Sequence, residues 1–303
     1  MTRRFYGTFR IILFIASVLS APQPTWSGTL TVGSISIYPA QEIKKFLPFS
    51  KYLAGELKSE GIDQGKVVVA GSISEMAGLI RERKVDIYMD SPFPAIAVSR
   101  LTGSKLLLRR WKGGSAEYHS VVFAQKESAI SRLEDLKGKI IAFDRPFSSS
   151  GYLLPKMSFA QSGLKLKLVP RDAGPAPLGP SEVGYLFSND DENTMFWVLR
   201  GKVAAGAMDN QSYVSEAKGD IGRLRIAHKT FSVPRQILTL RADLAPGLAA
   251  RIKEILTGMD RSDAGKKTLQ EFERTTRFDE LPLQSLSALS KVREYVASDP
   301  DQK

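Results

Sequence analysis

Cysteine is absent from this chain, which removes disulfides, thiolate metal ligands and cysteine nucleophiles together. Histidine is scarce: His119 and His228 stand far apart, and neither has a metal-ligand partner at helical spacing. No G-x-S-x-G nucleophile elbow and no P-loop occurs. These absences argue against an enzyme and name no catalytic residue, metal or cofactor. Long apolar runs are missing too. The most apolar stretch, Ile11 to Ala21, falls well short of the ~18 residues a membrane span needs.

Acids are missing from the first 27 residues. "MTRRFYGTFR" is basic, "IILFIASVLSA" is a short apolar core, and "PQPTWSG" supplies a breaker and small residues. That order predicts a secretory signal over residues 1–27 in preference to an uncleaved anchor, with cleavage best placed after Ser27 and Ala21 as the alternative. Without cysteine the exported chain has no residue for a lipid anchor. A freely soluble, monomeric periplasmic protein is expected.

What is present is an ordinary globular composition, 43% hydrophobic and 25% charged over 303 residues, enough for one large unit or two lobes. The formal charge is +11. Losing Arg3, Arg4 and Arg10 with the signal lowers it to +8. The positive residues are scattered, with "RRWK" and "KLKLVPR" as small clusters. Nucleic acid is not expected as a partner, and the charge is better suited to capturing anions.

From Thr29 onward, short β-type runs alternate with amphipathic helices. "TLTVGSISI", "KVVVAGS" and "VDIYMD" read as strands, and "ISEMAGLIRERK" and "PFPAIAVSRLTG" as helices. "AQEIKKFLPFSKYLAGELKSEG" is one long helix or two broken at Pro48. A second series runs from "YHSVVFAQ" to "VAAGAMD", followed after Pro234 by a returning strand and polar helices. "DAGPAPLGPSE" reads as a surface loop. The alternation predicts an α/β architecture with mixed, mostly parallel sheets flanked by helices.

The stretch "IIAFDRPFSSSGYLLPKM" carries the chemistry. A strand breaks at Asp144, and Ser148, Ser149, Ser150 and Gly151 stand where the next helix begins. A helix N-terminus exposes unpaired N–H groups and the positive end of the dipole, and serines add hydroxyl donors. The segment can seat an oxyanion, or it can be a plain solvent-facing cap.

"FDRPFSSSGYLLP" resembles the D-P-x-S-[ST]-S-G-[YF]-L-x-P segment of the phosphate/phosphite/phosphonate-binding proteins of ABC importers. "LEDLKGKIIAF", "VLRGKVAAGAMD", "KVDIYMDSPFPAIA" and "PRQILTLRADLAPGLAARIKEIL" are similar to further segments of that family, in order along most of the chain. The resemblance implies a two-lobed periplasmic-binding-protein fold of type 2 with ligand in the interlobe cleft. Residues 28–113 and 235–303 would form the first lobe, and 114–234 the second. The implied partners are a small oxyanion or zwitterion and an inner-membrane permease, or a sensor receptor reading the same closure.

Carried over, Ser148, Ser149 and Ser150 would donate to the oxyanion, with Gly151 and Tyr152 completing the segment. Asp209 would face the cleft from its strand end, and Tyr38 is a candidate for the opposite wall. The departures add acids. Asp191 stands near the place where the family often has histidine. Ser91 replaces a glycine before the proline, and Asp90 precedes it. A carboxylate beside a dianion is repulsive unless a shared proton or a ligand cation intervenes. Capping remains an alternative for Asp90, Asp190 and Asp191, and a turn role for Asp209.

Overall fold

In a computed structural model, which describes residues 28–170 and 178–299, the apolar runs become strands and the periodic segments become helices. The expected signal and most of the proline- and glycine-rich loop lie outside the described residues. The first series comprises β1 (Gly28–Ile35), α1 (Pro39–Glu56), β2 (Ile62–Ala70), α2 (Ile73–Arg81), β3 (Ile87–Asp90), α3 (Pro92–Thr102) and β4 (Lys105–Arg110). The second comprises β5 (Glu117–Tyr118), β6 (Ser120–Gln125), β7 (Ile140–Phe143), α4 (Leu154–Gln161), β8 (Lys165–Leu168), β9 (Glu182–Phe187), α5 (Asp191–Leu199), β10 (Ala205–Asp209), α6 (Asn210–Ala217) and β11 (Leu224–Lys229). The chain then returns through β12 (Val233–Pro234), β13 (Gln236–Leu240), α7 (Pro246–Gly258), α8 (Asp263–Glu271), β14 (Phe278–Asp279) and α9 (Leu283–Ser298).

Two six-stranded sheets result, in the orders β14-β4-β13-β3-β1-β2 and β11-β6-β10-β7-β9-β8. Both are mixed. The β/α alternation makes β1 parallel to β2 and β3, and β7 parallel to β9 and β10, whereas β13 and β6 run antiparallel to their neighbours. Between the two lobes the chain crosses twice, and the crossings pair as the two-stranded sheet β12-β5.

Pro48 does not break the first long helix, which runs through it, with Phe46, Phe49 and Leu53 buried on one side. "LEDL" forms a single 3₁₀ turn at Leu133–Leu136. The last helix is less polar in its role than its composition predicts. Ala288, Leu289, Val292 and Val296 of α9 share an apolar cluster with Phe93 and Ile96 of α3 and with Leu154 and Met157 of α4. Lys156 Nζ, on α4, lies 2.7 Å from Asp299 Oδ2 just past α9. The C-terminal helix thus touches both lobes.

Arg110, at the end of β4, has a side chain that is 0% exposed. Its Nε donates to Thr275 Oγ1 at 2.9 Å, and Nη2 donates to the Phe272 carbonyl and to Glu273. The guanidinium stacks 3.5 Å from the Phe272 ring centroid. Burial lowers its pKa to about 10 against the pull of Glu273, so it stays charged at neutral pH. Removing one partner of a buried charged network leaves the others unpaired. Arg110→Ala should therefore cost about 3–5 kcal/mol in urea denaturation; a loss under about 1 kcal/mol would show that the network is dispensable.

Candidate functional site

Where parallel strands end, loops and helix N-termini gather, and in this fold class ligands lie beyond those carboxyl ends. Here the ends of β1, β3, β7 and β10 face one another across a cavity of ≈ 350 Å³. Ser34, Tyr38, Glu42, Asp90 and Ser91 line it from the first lobe, and Asp144, Arg145, Ser148, Ser149, Ser150, Asp191, Asp209 and Ser212 from the second. Lys112, Tyr118, Arg235 and Gln236, at the crossings, form its floor, with Glu273 beside them.

The three serines divide their work. Ser148 Oγ accepts from Gly151 N at 3.0 Å and so caps its own turn. Ser149 Oγ accepts from Phe93 N at 2.8 Å and lies 2.9 Å from Ser91 Oγ, on the other lobe. It thereby caps α3, whose own N-cap residue, Ser91, makes no side-chain cap bond. The Ser150 carbonyl accepts from Ser120 Oγ at 2.6 Å. Residues Ser149–Leu153 form one π-helical turn, a local widening of the kind often found at functional sites.

Gly151 and Tyr152 are not among the cavity-lining residues, a correction to their place in the expected set. A Cβ on Gly151 would lie 2.5 Å from Asp144 Cβ, so the glycine lets the turn close onto the strand end. Tyr152 is buried, its ring 5.5 Å from Phe143 and 5.1 Å from Phe187. Its aromatic body is better spent in the core than on a polar guest. Tyr38 does line the cavity, at its lip, and is 47% exposed.

The acids separate by role. Asp190 is the cap of α5, accepting from Asn193 N at 2.6 Å, and its neighbour Asp191 faces the cavity. Asp209 caps α6 through Gln211 N and Ser212 N and also lies 3.4 Å from Arg235 Nη2. Asp90 accepts from Ser91 N at 2.6 Å and from Tyr88 Oη at 3.1 Å. It is not the side-chain cap of α3, because Ser149 fills that position.

Several lining residues were not singled out from the sequence. Arg145 Nε donates to Asp144 Oδ1 at 2.9 Å. Arg235 stacks 4.5 Å over the Tyr118 ring, and its buried Nε has no hydrogen-bond partner among the described residues. Lys112 lies 2.9 Å from Glu273, and Lys45 lies 3.6 Å from both Glu42 and Glu273. Burial alone would push the Glu273 carboxyl up, but Lys112 and then Arg110 hold it down at about 2. The signals for Arg145 and Arg235 were positional: one follows the strand break, the other follows Pro234 at a lobe crossing.

Each of these cations therefore already answers an acid. Among the described residues, Asp90 and Asp191 make no ion pair. Burial in the cleft pushes Asp90 up to about 7, with Glu42 adding to the effect. Burial does the same to Asp191, with Asp144 adding to it. Burial thus pushes two carboxyls, one on each lobe, towards the neutral form.

The sign of the resulting pH dependence follows directly. An unfolded carboxyl ionises near ~3.9, below the folded value, so stability is full under that pH and is lost as pH rises towards about 7. Asp90→Asn and Asp191→Asn should each raise the Tm of the ligand-free protein by about 3–6 °C at pH 8 and by much less at pH 4.5. Equal increments at both pH values in a calorimetric scan would exclude this origin.

A family model described as "ABC transporter, phosphonate, periplasmic substrate-binding protein" matches residues 32–285. The chain is 23% identical over 282 residues to the phosphate-import protein PhnD of Mycolicibacterium smegmatis, covering 86% of this chain and 82% of that one. Its fold resembles XAC2383 from Xanthomonas citri bound to chloride, with a TM-score of 0.82, 26% identity, and coverage of 88% of this chain and 96% of that one. It also resembles PhnD1 from Prochlorococcus marinus in complex with methylphosphonate, with a TM-score of 0.65, 19% identity, and coverage of 89% and 99%. The match over residues 32–285 takes in both lobes and the cavity between them, and the chain belongs to the periplasmic substrate-binding proteins of ABC phosphonate transporters, a family of binding proteins and not of enzymes.

Proposed function

We propose that the interlobe cavity captures a small oxyanion that also carries an ammonium group, an aminophosphonate in the simplest case, and presents it to an ABC permease. We read residues 28–113 with 235–303 as one closing body and 114–234 as the other, in keeping with the strands each sheet draws on. The observation that carries the reading is the meeting of Ser148, Ser149, Ser150, Arg145 and Arg235 with Asp90 and Asp191, which make no ion pair among the described residues, in one cavity. The serine turn offers hydroxyls and amides to the oxyanion. Asp90 and Asp191 reject a bare dianion and favour a guest that brings a proton or a cation.

The same balance ranks the ligands. Sulfate is fully ionised at neutral pH and has neither a proton to share nor a cation, so it should be excluded. Phosphate, named in the M. smegmatis relative, and phosphite can each offer a proton. 2-Aminoethylphosphonate satisfies both walls at once and should bind most tightly.

A thermal-shift series on the exported protein tests this reading. A ligand at a hundred times its Kd stabilises by ~2.7 kcal/mol. The expected order is 2-aminoethylphosphonate above methylphosphonate, phosphite and phosphate, with no shift from sulfate. The triple variant Ser148→Ala, Ser149→Ala, Ser150→Ala loses two helix caps, at about 1 kcal/mol each, and should lose the ligand-induced shift altogether. A triple variant that keeps the shift places the ligand elsewhere.

A further inference from the structure

A second cavity adjoins the floor of the first. This chamber of ≈ 570 Å³ shares Lys112, Ser212, Arg235 and Glu273 with the first. Its remaining wall comes from both lobes, including Gln211 and Ser215 of α6, Gln270 of α8 and Arg274 in the turn after α8. Three of the four shared residues belong to ion pairs, Lys112 with Glu273 and Arg235 with Asp209.

The second chamber differs from the first in charge. Lys112, Arg235 and Arg274 line it against the single acid Glu273, whose charge Lys112 and Arg110 already hold. Arg274 makes no ion pair among the described residues. Its backbone is unusual: Glu273 and Arg274 both adopt the left-handed region, with φ of 53° and 51°, where non-glycine residues are uncommon and cost stability. The turn directs successive residues to different tasks, Glu273 to the cation cluster and Arg274 to the second chamber. The positive excess suits a second anion, whereas Asp90 and Asp191 in the first chamber suit an ammonium.

We infer that the cleft is built for a ligand with three charged groups: a phosphonate at the serine turn and, on one carbon at the other end, an ammonium turned to Asp90 and Asp191 and a carboxylate turned to the Arg274 side. That is the chemistry of an ω-phosphono-α-amino acid. The inference rests on the oxyanion reading above and narrows its substrate class. A carboxylate entering the second chamber meets a guanidinium capable of bidentate bonding.

Two probes isolate the third group. 3-Aminopropylphosphonate and 2-amino-4-phosphonobutanoate share phosphonate, chain and amine, and differ by one carboxylate. Isothermal titration of the exported protein should give an affinity about tenfold or more tighter for the carboxylated probe, a difference of about 1.4 kcal/mol. Arg274→Gln should bring the two affinities together by weakening the carboxylated probe alone. Ser215→Trp, at an exposed position of the chamber wall, should do the same by filling the space, with the Tm of each variant confirming its fold. Equal affinities in the parent protein, or a loss shared by both probes in Arg274→Gln, would overturn the inference and leave the aminophosphonate reading standing. Failure of both probes to bind would remove the two together.

Discussion

The hydroxyl of Ser149 is the contact on which the closed cleft turns. It accepts the Phe93 amide that α3 leaves without a cap of its own, and it meets Ser91 Oγ beside it. A cap supplied from the opposite lobe couples helix satisfaction to lobe closure. If the lobes part, the first turn of α3 loses a bond of the kind that contributes about 1 kcal/mol. The serine turn, α3, α5 and α6 all bring N-terminal ends to this cavity. Their dipoles favour negative charge there, which helps several carboxylates coexist within one cleft.

That coexistence also limits what can enter. Arg145 answers Asp144, Arg235 answers Asp209, and Lys112 with Arg110 answers Glu273. A ligand anion cannot take a cation from these pairs without leaving a carboxylate buried and alone, and such a loss is expensive. In the proposed reading, donors in the serine turn are what remain for it. The guest must then also satisfy Asp90 and Asp191. In the same proposed reading, selectivity comes from acids left over after internal pairing and not from an excess of positive charge, although the whole chain is strongly basic.

Much of this was readable in the sequence because it depends on local order. "FDRPFSSSGYLLP" predicts a strand break followed by hydroxyls at a helix start, and the chain folds that way locally. The alternation of apolar runs with amphipathic helices predicts α/β sheets that are mostly parallel, and the antiparallel placing of β6 and β13 was not legible in it. Pairing across the cleft was not readable. Nothing near Ser149 in the chain says that its partner is Phe93, 56 residues away, and nothing in "NDDENT" says which aspartate caps and which faces the cavity. Register along one helix turn decides that, and a shift of one residue changes the outcome. Tyr152 shows the same limit from the other side. It adjoins the serines in sequence, but the π-helical turn directs its ring into the aromatic core with Phe143 and Phe187.

The back of the molecule sets the terms on which the front can open. α4 of one lobe shares an apolar cluster with α3 and α9, and Lys156 is tied to Asp299 in the same region. Apolar burial contributes roughly 25 cal/mol per Å², so motions that expose this cluster are opposed more strongly than motions that break Ser149 from Phe93. Opening by rotation about the β12-β5 crossing, with α4 staying against α9, exposes the polar cavity first. The groups released early are hydroxyls and amides that water can satisfy at little net cost. The cleft is therefore polar at its cavity and apolar at its back, and Arg235, which directly follows β12, lies at the lobe crossing and in the cavity lining at once.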